Sequence, residues 1–213
     1  MDLTYTLSIA ATLAFSVTGV LAARIQQLDI IGVTVVGVVT AVGGGTIRDI
    51  ILDVPVFWIV DGRYLLAATL AALLTFAFND LIHRGYRWFL YMDALGVALF
   101  AALAVMKTLA LGLGSAHAVV MGVITGIGGG IIRDVLLDRP TLIVSRELYA
   151  TPICLGVGLQ LALLKLGVLS TQQVVIAGVA AIFLFRAAAI YFQWQMPDIL
   201  TLSNRPVASN PEE

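Results

Sequence analysis

One segment of this chain occurs twice. Gly43-Gly44-Gly45-Thr46-Ile47-Arg48-Asp49 returns 85 residues later as Gly128-Gly129-Gly130-Ile131-Ile132-Arg133-Asp134. The agreement extends to both sides. Leu52, Asp53 and Pro55 match Leu137, Asp138 and Pro140, and Gly37, Val38 and Thr40 match Gly122, Val123 and Thr125. Chance does not produce such a match, so the chain is an internal duplication.

Composition then fixes the solvent. Of 213 residues, 60% are apolar and 12% charged, and the mean hydropathy is +1.01. Soluble domains average about 45–50% apolar and about 25% charged. A water-soluble fold of this length has too little interior for that much apolar surface, so much of it faces lipid. A disordered chain and a soluble enzyme are excluded. A single cysteine, Cys154, excludes a disulfide scaffold. A net charge of −1 gives no field for nucleic acid. Met1 is followed by Asp2 with no basic stretch, so the first apolar run reads as a retained span rather than a cleaved leader.

An α-helix crosses about 30 Å of hydrocarbon with about 20 residues. Seven stretches qualify, at roughly 3–23, 30 to beyond 45, 64–78, 89–106, 118 to beyond 130, 148–164 and 174–192. The expected fold is all-α: a polytopic membrane protein with one transmembrane domain over 1–193 and a polar tail over 194–213. The two motif copies fall on the second and fifth spans. Equivalent positions are separated by three crossings, an odd number, so the copies run in opposite directions. Repeat 1 covers about 3–82, repeat 2 about 88–165, and the helix at about 172–193 is extra. Arg24, Arg84, Arg87, Arg139, Arg146 and Arg205 collect on one side, against Arg63, Lys107 and Lys165 on the other. Basic loops stay inside, so the N-terminus is expected outside and the C-terminus in the cytoplasm.

Three adjacent glycines each weaken a helix by about 1 kcal/mol relative to alanine. They predict a kink or break in spans two and five, with freed carbonyls facing a wet path. Arg48, Asp49, Asp53 and their copies Arg133, Asp134 and Asp138 follow directly. Ionisable groups at that depth cost at least about 2.5–3.5 kcal/mol each, so they face protein or water and pair. Asp49 and Asp53, four apart, would share a helix face, with Arg48 about 100° away. Antiparallel copies suggest cross-pairing, Arg48 with Asp134 and Arg133 with Asp49. A cation pathway over Gly43–Gly45, Gly128–Gly130 and these charges is one reading; structural ion pairs inside a bundle are the other. Small residues four apart, Gly37, Ala41 and Gly45 with Gly122, Gly126 and Gly130, favour close helix packing.

The doubled Gly-Gly-Gly-x-x-Arg-Asp-x-x-x-Asp-x-Pro resembles that of the prokaryotic trimeric intracellular cation (TRIC) channels, over about residues 3–193. The same bacterial domain also carries the name of a glycine transporter. The resemblance implies a homotrimer in the inner membrane. Each protomer would hold an hourglass pore between kinked second and fifth helices, passing monovalent cations, chiefly potassium. In animal members a lysine-glutamate pair that binds a phosphoinositide replaces Arg-Asp; here Arg48-Asp49 and Arg133-Asp134 stand instead.

Other residues have two readings each. Asp93 is a vestibule charge or an interfacial residue beside Tyr91. Ser16 lines the pore or, with Thr18 and Gly19, packs helices. Lys107 responds to voltage, as the resemblance implies, or snorkels to the interface. Arg186, inside the last span, needs a carbonyl, a carboxylate or the interface. Trp58, Trp88 and Trp194 read as interface anchors. His83 and His117 lack partners at ligand spacing, so no metal is expected beyond a transient monovalent cation. No cofactor is expected, and no nucleotide loop or nucleophile–base set is present. The rivals to a channel are a secondary transporter of a small amino acid such as glycine, and a structural membrane protein.

Overall fold

A computed structural model describes residues 3–78, 85–145 and 148–197. The polar tail beyond 197, together with Arg84, Arg146, Arg205 and His83, lies outside the described residues. The long helices are α1 (Leu3–Ala23), α2 (Ile30–Ile51), α4 (Arg63–Ala77), α5 (Gly85–Ala110), α6 (Ser115–Leu136), α7 (Ala150–Leu166) and α8 (Thr171–Phe192); α3 (Phe57–Val60) is a single turn. Helices α1, α2, α5, α6 and α8 are long and apolar enough to cross a membrane, while α4 and α7 are shorter, at 15 and 17 residues. The protein is a multi-pass, all-helical membrane protein.

Local chemistry sets several ends. Asp29 caps α2 by accepting the Gly32 N–H at 2.7 Å, and Ser170 with Gln173 forms a reciprocal capping box on α8. Helices α2 and α6 stop in the same way. Asp53 and Asp138 adopt left-handed φ of 52° and 48°, and Val54 and Arg139 donate back to the carbonyls of Asp49 and Asp134. Pro55 and Pro140 follow two residues later and cannot continue a helix.

Helix α5 is the hub, with an almost continuous buried run from Ala94 to Val105. It packs against α1, α6 and α8, while α2 packs against α1, α4 and α6. The start of α1 (Thr4, Tyr5, Ser8) and the end of α5 (Leu103, Met106, Lys107) line one cavity, so these equivalent helices run in opposite directions.

Neither glycine triplet breaks its helix: the α-helical run is continuous through Gly43–Gly45 and through Gly128–Gly130. The triplets mark the place where α2 crosses α6 instead. A Cβ on Gly44 would fall on the Thr125 carbonyl, and one on Gly129 on the Thr40 carbonyl. Gly128 lies against the Gly44 Cα, 3.1 Å from an added Cβ. Backbone meets backbone here, and that contact offsets the poor helix propensity of glycine. Gly45 is closed over by the Phe57 ring and Gly130 by the Tyr149 hydroxyl.

Candidate functional site

One turn beyond the crossing, each helix carries its Arg-Asp pair toward its own C-terminus. The two pairs therefore sit at opposite ends of the bundle. The expected cross-pairing of Arg48 with Asp134 and of Arg133 with Asp49 does not occur. Each arginine instead folds back onto its own neighbour. Arg48 Nε donates to Asp49 Oδ1 at 2.7 Å, and Arg133 Nε to Asp134 Oδ1 at 2.8 Å. Adjacent helical residues diverge by about 100°, but the long arginine side chain spans that arc. The double variant Arg48→Asp with Asp134→Arg is therefore expected to be no better folded than Arg48→Asp alone. Recovery of the purified protein by size-exclusion chromatography measures it.

The Arg48 cluster is the more open one. Asp49 is fully buried and accepts three donors: Arg48 Nε, Lys107 Nζ at 2.7 Å, and the Phe57 N–H at 3.0 Å. The Phe57 ring also lies 5.8 Å from the Arg48 guanidinium. The Lys107 side chain remains one-third exposed. A cavity of about 500 Å³ reaches this cluster, bounded by Tyr5, Ser8, Arg48, Tyr64 and Lys107.

The Arg133 cluster is sealed. Arg133 binds Asp134 through two nitrogens, at 2.8 and 3.1 Å, and its Nη1 donates to Asp93 Oδ1 at 2.8 Å and to Thr18 Oγ1 at 3.2 Å. The Tyr149 hydroxyl donates to Asp93 Oδ2 at 3.0 Å. Arg133 and Asp93 are 0% exposed and Asp134 is 2%. Arg133 also lies over the Phe89 ring at 4.6 Å.

The repeat explains the difference. At a spacing of 85, Tyr64 corresponds to Tyr149 and Phe57 to Leu142, but Ser8 corresponds to Asp93 and Ala22 to Lys107. The second arginine thus gains an extra carboxylate, while the first aspartate gains an extra cation. Tyr149 is absent from the residues singled out by sequence, although the match with Tyr64 is a signal that could have found it.

The remaining sequence candidates fall as follows. Asp93 is buried in the second cluster, away from any interface with water. Lys107 is an ion-pair partner of Asp49 rather than a snorkelling end. Ser16 is buried and donates to the Ala68 carbonyl at 2.6 Å, tying α1 to α4. Asp53 and Asp138 lie apart from the clusters. The shared helix face expected for Asp49 and Asp53 is not formed, because α2 ends at Ile51 and Asp53 is an exposed left-handed residue beyond it. Asp138 repeats that placement after α6.

The family model described as "Glycine transporter" matches residues 5–80 and again 90–165, the two halves of the duplication. The UPF0126 inner membrane protein YadS of Escherichia coli is 40% identical over 92% of this chain and 95% of its own length. The chain belongs to the TRIC/UPF0126 family. Among solved structures, the TRIC trimeric intracellular cation channel orthologue from Rhodobacter sphaeroides superposes with a TM-score of 0.86. It is 39% identical, with 91% of this chain and 100% of that one covered. A prokaryotic TRIC channel determined in 0.5 M KCl gives a TM-score of 0.83 at 28% identity, over 91% of this chain and 98% of that chain. The TRIC fold therefore carries both charged clusters of this member.

Proposed function

We propose that this chain is a cation channel of a bacterial inner membrane. It carries monovalent cations including potassium, as a homotrimer with one conduction route inside each protomer. The observation that carries this reading is the placement of two charged clusters at opposite ends of the α2–α6 crossing, one of them flooring the cavity of about 500 Å³. Its likeness to proteins described as cation channels supports it.

The route enters beside Lys107 and Arg48, passes the crossing, and leaves at the Arg133 end. At Gly43–Gly45 and Gly128–Gly130 the two backbones are in contact, so the route runs beside the crossing rather than between its glycines. Asp49 and Asp134 supply negative field within the route, and the exposed Asp53 and Asp138 supply it at the two helix ends. In the described conformation the Arg133 end is shut, so conduction requires Arg133 to leave Asp93. The excess of basic residues in one set of loops supports an N-terminus outside and a C-terminus in the cytoplasm.

Lys107 occupies an oxygen of Asp49 at the cavity floor. Lys107→Gln is expected to raise unitary cation conductance about twofold or more at low salt, because it removes a positive charge from the cavity floor, with the gain shrinking as salt screens that change. Single-channel recording at two salt concentrations checks this. For the function itself, purified protein in a planar bilayer under a KCl gradient is expected to show unitary currents reversing near the cation potential. Liposomes of the same preparation are expected to show no saturable uptake of radiolabelled glycine. Saturable glycine uptake without unitary current would overturn the channel.

A further inference from the structure

Helix α8 stands outside the duplication, yet it delivers a charge to the sealed cluster. Arg186 is 0% exposed. Its Nη1 donates to the Leu148 carbonyl at 3.0 Å, and its guanidinium lies over the Tyr149 ring at 4.4 Å. Nη2 points at Asp93 Oδ2 from 4.0 Å, beyond hydrogen-bond range, and neither Nη2 nor Nε has a hydrogen-bond partner. Two orphaned donors on a fully buried cation are costly, so the arrangement needs a reason. Asp93 accepts one donor on each oxygen, Arg133 on Oδ1 and Tyr149 on Oδ2, and each oxygen keeps a second acceptor site.

We infer that Arg186 is the reserve counter-ion of Asp93. It is a positioning residue that takes over this carboxylate when Arg133 lets go. The proposal rests on the channel reading in one respect, that Arg133 must leave Asp93 for ions to pass. Without a successor, that step would strand a buried carboxylate, which is strongly unfavourable. With Arg186 already aimed at Oδ2, a closure of about 1 Å restores an ion pair of ordinary length. Arg186 also lowers the barrier from the closed side. With it, two cations face Asp93 and Asp134; without it, Arg133 alone must hold both and is bound more tightly. The extra helix thus sets how readily the second repeat opens, adding to the asymmetry that Asp93 and Lys107 already give the two ends.

Arg186→Gln is expected to lower open probability about tenfold, with unitary conductance unchanged. The same substitution in an Asp93→Asn background is expected to change open probability less than twofold, because a neutral amide needs no counter-ion. A merely structural role for Arg186 would give the same effect in both backgrounds, and that result overturns the proposal. Amide hydrogen exchange over residues 130–138 reads opening of the cluster without any current. It is expected to slow in Arg186→Gln and not in the double variant. If the wild type carries no current, the channel reading falls, while the exchange result still decides the role of Arg186. If Arg186→Gln fails to assemble, Arg186→Lys carries the test. Lysine replaces the separate Nη1 and Nη2 that face Leu148 and Asp93 with a single nitrogen, so opening is expected to fall about threefold. Wild-type opening in that variant overturns the proposal.

Discussion

Replacing Arg133 with glutamine is expected to destabilise the protein by about 3–5 kcal/mol, because it leaves the buried Asp134 without its cation and Asp93 with only the more distant Arg186. Arg48→Gln is expected to cost less, about 1.5–3 kcal/mol. Asp49 retains the Lys107 ammonium and the Phe57 N–H after that change. The two arginines stand in identical motifs, so the motif alone predicts equal effects. Thermal unfolding of both variants in one detergent, scored by loss of helical signal, separates the two expectations. Equal losses would mean that the extra carboxylate and the extra lysine do not distinguish the ends. Adding Asp93→Asn to Arg133→Gln is expected to recover little of the loss, since Arg186 still faces Asp93 and the stranded charge is that of Asp134.

Alanine at the helix crossing is the second large effect. In an isolated helix Gly→Ala stabilises by about 1 kcal/mol. At Gly44 the new methyl would land on the Thr125 carbonyl, and at Gly129 on the Thr40 carbonyl. A backbone oxygen on a packed helix cannot swing aside as a side-chain end can. The helices must separate, and overpacking of that kind costs about 1–3 kcal/mol or more, outweighing the propensity gain. Gly44→Ala and Gly129→Ala are each expected to unfold at lower temperature and to yield less folded protein. Gly158→Ala on α7 meets nothing within 4 Å and is expected to be neutral or stabilising by up to about 1 kcal/mol. A glycine triplet kept only to let a helix bend would tolerate alanine at the crossing and at Gly158 alike.

Much of the fold is legible along the chain. Apolar length places the helices, and the parity of three crossings between the motif copies predicts the opposed repeats, in line with the shared cavity of α1 and α5. The buried charges are also legible, since Arg48, Asp49, Arg133 and Asp134 stand out against apolar surroundings. Their partners are not. Side-chain reach is a few ångströms, and the distance between the motifs depends on where α2 crosses α6. Helical spacing likewise put Asp53 on the face of Asp49, because the left-handed turn after Ile51 carries no strong sequence signal: aspartate tolerates that conformation but does not demand it.

Read along the chain, the residues establish the solvent, the duplication, the antiparallel sense of the repeats and the depth of the two Arg-Asp pairs, but not the exposure of Asp53 and Asp138 or the burial of Asp93. What they establish is set by apolar content and by periodicity, which are properties of neighbouring residues along the chain. Three-dimensional packing is what makes the glycines a backbone crossing rather than a break, gives each arginine its own aspartate, and lets Ser8 and Asp93 leave one end open and the other shut. Those outcomes depend on which side chains from distant helices arrive within hydrogen-bond range, and that is fixed by packing.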